Sequence, residues 1–136
     1  MTDTLRLFLT EMAGVALLVV GIVIMNIMLD AVKERTREIG LRKALGASSR
    51  MIRNQFLLES SILTLSGGVI GIALGVILAF LVFLGARFAG LDWAFVISPV
   101  AVFLAVGLSV LTGLFFGFYP AVRASKLDPI VALRYE

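Results

Sequence analysis

Three stretches of this chain carry no charged side chain and are long enough to cross a lipid bilayer. Met12 to Leu29 gives 18 such residues, Ser60 to Ala86 gives 27, and a third run begins at Ser98 and reaches Tyr119. At 1.5 Å per residue, a helix needs about 20 apolar residues to cross the hydrocarbon core, so the first run spans once its flanks are included. The expected fold is therefore all-α and integral to the membrane, with three transmembrane helices near residues 12–29, 60–86 and 98–122. A cleaved signal peptide is the competing reading of the first run. No basic region precedes it and no A-x-A-like site follows it, so it is read as an anchor. A hydrophobic content of 60% agrees, against about 45–50% for soluble domains. The chain has no Cys and no His, which removes disulfides, thiolate chemistry and imidazole metal sites or general bases.

The charges are concentrated between the first two spans. Asn26 to Phe56 holds seven of the twelve Lys and Arg residues: Lys33, Arg35, Arg37, Arg42, Lys43, Arg50 and Arg53. Basic residues beside apolar spans mark the cytoplasmic side, whereas the link from Arg87 to Ile97 contains one. The expected orientation puts the N-terminus outside, residues 30–59 and the tail 123–136 in the cytoplasm, and the link outside. This placement suits a protein partner better than nucleic acid. Within the loop, Gly40 and Gly46 bracket Leu41 to Leu45, read as a short separate helix with Leu41 and Leu45 on one face and Arg42 and Lys43 beside them. Glu34 with Arg37 and Glu38 with Arg42 have helical pair spacing, and the second pair would be lost if the helix broke at Gly40. Ser48 or Ser49 is placed to cap the next helix.

Small residues organise the spans. Gly67, Gly71, Gly75 and Ala79 recur every fourth residue in the second span, and Ser109, Gly113 and Gly117 form a similar stripe in the third. Such stripes let helices approach closely in lipid; the second stripe is one candidate partner for the first, and a helix across a dimer interface is the other. Asn26 is expected to hydrogen-bond a neighbouring helix, and Trp93 to anchor at the interface. Ser98 and Pro99 form a cap and first-turn pair, and Pro120 is expected to end or kink the third span. Asp128 before Pro129 is expected to cap a final short turn, leaving Leu133 and Tyr135 available to pack back onto the loop. Glu59, at the edge of the second span, is either a solvated boundary residue or a proton site.

GLRKALGAS at Gly40 to Ser48 has five residues between its glycines and Ala47 where a phosphate-binding Lys would follow, so it is not a Walker loop. The plain reading of the charged loop is a solvated connection. A short helix with apolar and basic edges is also suited to docking in a groove on a soluble partner.

The string ERTREIGLRKALGAS at Glu34 to Ser48, preceded by NIML at Asn26 to Leu29, resembles the cytoplasmic loop of MacB-type and FtsX-like ABC-transporter permeases. PAVRASKLDPIVALRYE at Pro120 to Glu136 resembles that family's C-terminus. The resemblance implies that Glu34, Arg35, Thr36, Arg37, Glu38, Ile39, Gly40, Leu41, Arg42, Lys43, Ala44, Leu45, Gly46 and Ala47 correspond to the segment that couples the permease to an ATPase. Leu41, Ala44 and Leu45 are then the expected apolar contacts, and Arg37, Arg42 and Lys43 the polar ones. It also implies an ATPase subunit or domain that carries ATP and Mg²⁺, with no cofactor on this chain. A second permease copy, surrounding membrane lipid and, for MacB-type members, a periplasmic adaptor and export of macrolides, peptides or lipid-linked cargo complete the implied setting. The family pattern places another helix and a large extracytoplasmic domain ahead of this region, so a fragment or a split subunit is expected. Two other readings stand beside it: a stand-alone membrane scaffold assembling through the small-residue stripes, and a proton-coupled exporter using Glu59.

Overall fold

A computed structural model describes residues 2–91 and 94–134, all helix and connecting turns, with no strand among them. Helix α1 spans Thr2–Glu34, α2 Thr36–Ala44, α3 Ser49–Phe88, α4 Pro99–Ser125 and α5 Pro129–Leu133. The first, third and fourth of these are long and apolar enough to cross a membrane. The fold is thus an all-α membrane protein with three spans. Trp93 and Tyr135, expected to anchor and to pack, lie outside the described residues.

Helix α1 has 33 residues and α3 has 40, so at 1.5 Å per residue both outrun a hydrocarbon core of about 30 Å. The polar lead-in before Met12 is continuous with the first span. The excess length of α3 begins beside α2, where Ser48 caps it: its side chain accepts a bond from the Met51 N–H at 3.2 Å. Ser98 likewise accepts from the Ala101 N–H, with Pro99 opening α4. Asp128 Oδ1 accepts from the Ile130 N–H at 2.8 Å and starts α5.

Helices α3 and α4 make the most extensive contact in the molecule, and small side chains set it. Ser60, Thr64 and Gly68 recur every fourth residue on α3 and meet Ser109, Gly113 and Gly117 of α4. A Cβ on Gly117 would come 2.6 Å from Ser60 Cβ, and one on Gly113 would come 2.9 Å from the Ser60 carbonyl oxygen. The hydroxyls do not bridge the two helices. Ser60 bonds the Leu57 carbonyl, Thr64 those of Ser60 and Ser61, and Ser109 that of Ala105, each within its own helix. Close van der Waals packing therefore holds the pair. At the far end, Phe95 packs on Phe80 and Phe83, both ring pairs at 5.8 Å.

The second stripe does not face the first, as its spacing had suggested. Gly67, Gly71 and Gly75 are exposed, with nothing beyond their own helix turn within 4 Å of a built Cβ among the described residues, and Ala79 is exposed as well. Successive residues on a helix are about 100° apart, so the 67–71–75 row lies a face away from the 60–64–68 row that α4 uses.

Helix α1 lies on α4, with Phe116 seated over Gly21, and buries Gly21, Ile24, Met28 and Val32. Asn26 is exposed, and the expected hydrogen bond to a neighbouring helix is not made among the described residues. Pro120 is fully buried, and α4 continues past it to Ser125 rather than ending there. The core gathers at the end of the bundle where α2 lies: Ile24, Met28, Val32, Ile39, Ile52, Phe56, Ala121 and Ala124. Elsewhere the long helices keep wide apolar faces exposed, as lipid contact permits.

Candidate functional site

The short helix α2 begins directly after α1. Arg35 is the single residue between them, with φ −96° and ψ 11°, and hydrogen bonds run across the joint from Arg35 N–H to the Ala31 carbonyl and from Ile39 N–H to the Arg35 carbonyl. The helix closes on Gly46, whose φ of 103° suits glycine. Gly46 N–H bonds the Lys43 carbonyl and Ala47 N–H the Arg42 carbonyl, both at 3.0 Å. That is the paired termination which satisfies a helix's last carbonyls through a left-handed glycine.

Gly46 therefore acts as expected, whereas Gly40 does not break the helix. Helix α2 runs through it, and the Glu38–Arg42 ion pair that straddles it forms. The reason is close packing. A Cβ on Gly40 would come 2.6 Å from Ala132 Cβ, because α5 lies directly against this face.

The two faces of α2 differ sharply. Ile39 and Gly40 are buried, and Thr36, Lys43 and Ala47 are partly so, at the spacing of one helical face. The Thr36 hydroxyl bonds back to the Val32 and Lys33 carbonyls. Lys43 turns inward. Its ammonium donates to the Ser125 carbonyl and, at 2.8 Å, to the Leu127 carbonyl, so it is engaged within the chain and is not on the outer surface expected for it. On the opposite face Arg37, Leu41, Ala44 and Leu45 are exposed, Leu41 at 51% and Leu45 at 81%. Glu34, Glu38 and Gly46 are exposed around them.

Polar pairs tie α2 and its joint to α3. Arg35 Nη1 lies 3.2 Å from both carboxylate oxygens of Glu59, and Arg42 Nη1 donates to Gln55 Oε1 at 2.8 Å. Glu59 is thus an ion-pair partner at the bundle's end. Of the three basic residues singled out, Arg37 alone has no side-chain hydrogen bond or ion pair among the described residues.

Two groups that matter here went unrecognised in the sequence. The Ser60–Thr64–Gly68 row is visible as a four-residue repeat, but the longer glycine row beside it is more conspicuous. Ala132, against Gly40, carries no signal of its own.

Fold and site together define a helical membrane domain that presents a small two-faced helix at one end of its spans. Its inner face is fixed to the bundle and its outer face is open. A family model described as FtsX-like permease C-terminal matches residues 12–129, and the chain belongs to that family. It is 51% identical over 135 residues to the macrolide export ATP-binding/permease protein MacB of Bdellovibrio bacteriovorus, covering 99% of this chain and 20% of the relative. It is 50% identical over 135 residues to the uncharacterized ABC transporter permease YknZ of Bacillus subtilis, covering 99% and 33%. Against MacB of Escherichia coli strain K12 the identity is 46%, with coverage of 99% and 20%. The chain thus spans a fifth to a third of the length of these relatives. It is a membrane-spanning part of an ABC-transporter permease.

Proposed function

We propose that α2 is the coupling helix through which an ATPase subunit or domain drives this membrane domain. The exposed face of Arg37, Leu41, Ala44 and Leu45 is the docking surface, and the spans pass the movement to an extracytoplasmic part of the transporter. The observation that carries this reading is the pair of exposed leucines on a helix otherwise fixed to the bundle. Full burial of a leucine stabilises by about 1.5–3 kcal/mol, and Leu45 at 81% exposure has most of that still to gain. ATP and Mg²⁺ belong to the ATPase in this account. A second permease copy and a periplasmic adaptor complete the assembly, and the relatives' name of macrolide export suggests an export role. The positive-inside distribution supports the bacterial inner membrane with the N-terminus outside and α2 and the C-terminus in the cytoplasm. The family match does not favour a stand-alone scaffold.

The test is Leu45→Asp in the full-length permease reconstituted with its ATPase. Membrane insertion is expected to stay intact, while engagement with the ATPase and permease-dependent control of hydrolysis are lost. Unchanged engagement would count against the assignment.

A further inference from the structure

Helix α2 has to deliver any push it receives to a particular span, and its contacts are unequal. It touches α1 little and packs chiefly on α5. Two features bind it there. The first is Lys43, whose ammonium sits on the carbonyl end of α4. No backbone N–H among the described residues reaches the carbonyl of Ser125, the last residue of α4, and Lys43 supplies the donor there and at Leu127. A cation in this position also meets the negative end of the helix dipole. The second is the Gly40–Ala132 contact, where the missing side chain lets α5 lie flush on α2. Helix α5 follows α4 after three residues, its start fixed by Asp128. Helices α2, α4 and α5 are thereby joined by a charged cap and a steric key.

We propose that Lys43, Gly40 and Ala132 are positioning residues that clamp the coupling helix to the end of α4, so that its displacement passes into α4 and, through the Ser60–Thr64–Gly68 interface, into α3. The proposal rests on the coupling role of α2 given above. Arg35–Glu59 and Arg42–Gln55 are exposed accessory ties from α2 and its joint to α3.

The experiment uses the full transporter in nanodiscs and has two readouts. One is cross-linking of Leu45→Cys to the ATPase, which reports docking. The other is the maleimide-labelling rate of Val96→Cys, in the exposed link just before α4, with and without vanadate trapping, which reports whether movement reaches the far end of α4. In an otherwise unaltered protein, trapping is expected to change the Val96→Cys rate. Gly40→Ala and Lys43→Met are expected to lose that change while keeping the Leu45→Cys cross-link. Lys43→Arg is expected to restore it, as is the methyl swap Gly40→Ala with Ala132→Gly, which moves one methyl across the contact without adding volume. A Lys43→Met protein that responds as fully as the parent overturns the clamp, as does a parent that shows no response. A swap that fails to restore a membrane-inserted Gly40→Ala protein does the same. Should Gly40→Ala fail to insert, the Lys43 pair decides. Failure of the coupling role itself appears separately, as absence of the Leu45→Cys cross-link in the parent.

Discussion

Gly117→Ala tests the packing that holds α3 to α4. The added Cβ would come 2.6 Å from Ser60 Cβ and overlap the Ser60 hydroxyl oxygen, and beyond its own helix turn no other atom of the described residues lies within 4 Å of it. Overpacking a close-packed contact costs about 1–3 kcal/mol. Replacing glycine by alanine within a helix returns about 0.5–1 kcal/mol. The net expectation is a destabilisation of up to about 2.5 kcal/mol, or up to about a seventyfold fall in the folded-to-unfolded ratio. Because Ser60 is the sole obstruction, Ser60→Gly in the same protein should recover most of the loss, although its own glycine weakens α3. The assay is a denaturation series of the full permease in mixed micelles, read as a double-mutant cycle between positions 60 and 117. Additive effects with no coupling between the two positions would refute the packing argument, as would a stabilising Gly117→Ala.

Gly71→Ala is the contrasting case: with nothing within 4 Å of the new methyl, it should leave the isolated permease as stable or up to about 1 kcal/mol more stable in the same assay. Ser48→Ala removes the side-chain acceptor for the Met51 N–H and should cost about 1 kcal/mol, with hydrogen exchange rising in the first turn of α3 before anywhere else. Glu59→Gln breaks a pair whose side chains are 47% and 37% exposed, so the change in stability should stay below about 1 kcal/mol. The same substitution should leave transport driven by ATP intact in vesicles, and its abolition would revive a proton-coupled role.

The features that could be read from the sequence are those whose causes are local. Ser48, Ser98 with Pro99, and Asp128 with Pro129 each cap the helix that follows, because the capping oxygen and the N–H it serves lie two or three residues apart. The three spans follow from length and charge alone. Gly46 ends α2 because the backbone there needs a positive φ. Gly40 looked equivalent in the sequence, but its role is set by Ala132, far along the chain, which spacing cannot report. Lys43 is the same kind of case: its acceptors lie 82 and 84 residues away, and nothing near it distinguishes a lysine that caps a helix from one that faces solvent. The row of α3 that meets α4 could not be picked out for a related reason. Two small-residue rows run along that helix one face apart, and only the approach of α4 selects between them.

Whether the outer face of α2 meets an ATPase is the point on which the account depends, and proximity is its most direct test. The measurement is cross-linking from Leu45→Cys in the full transporter, with Phe88→Cys, exposed at the opposite end of α3, as the control. A short-arm cross-link to the ATPase is expected from position 45 and none from position 88. No cross-link from position 45, or equal capture from both positions, would contradict it.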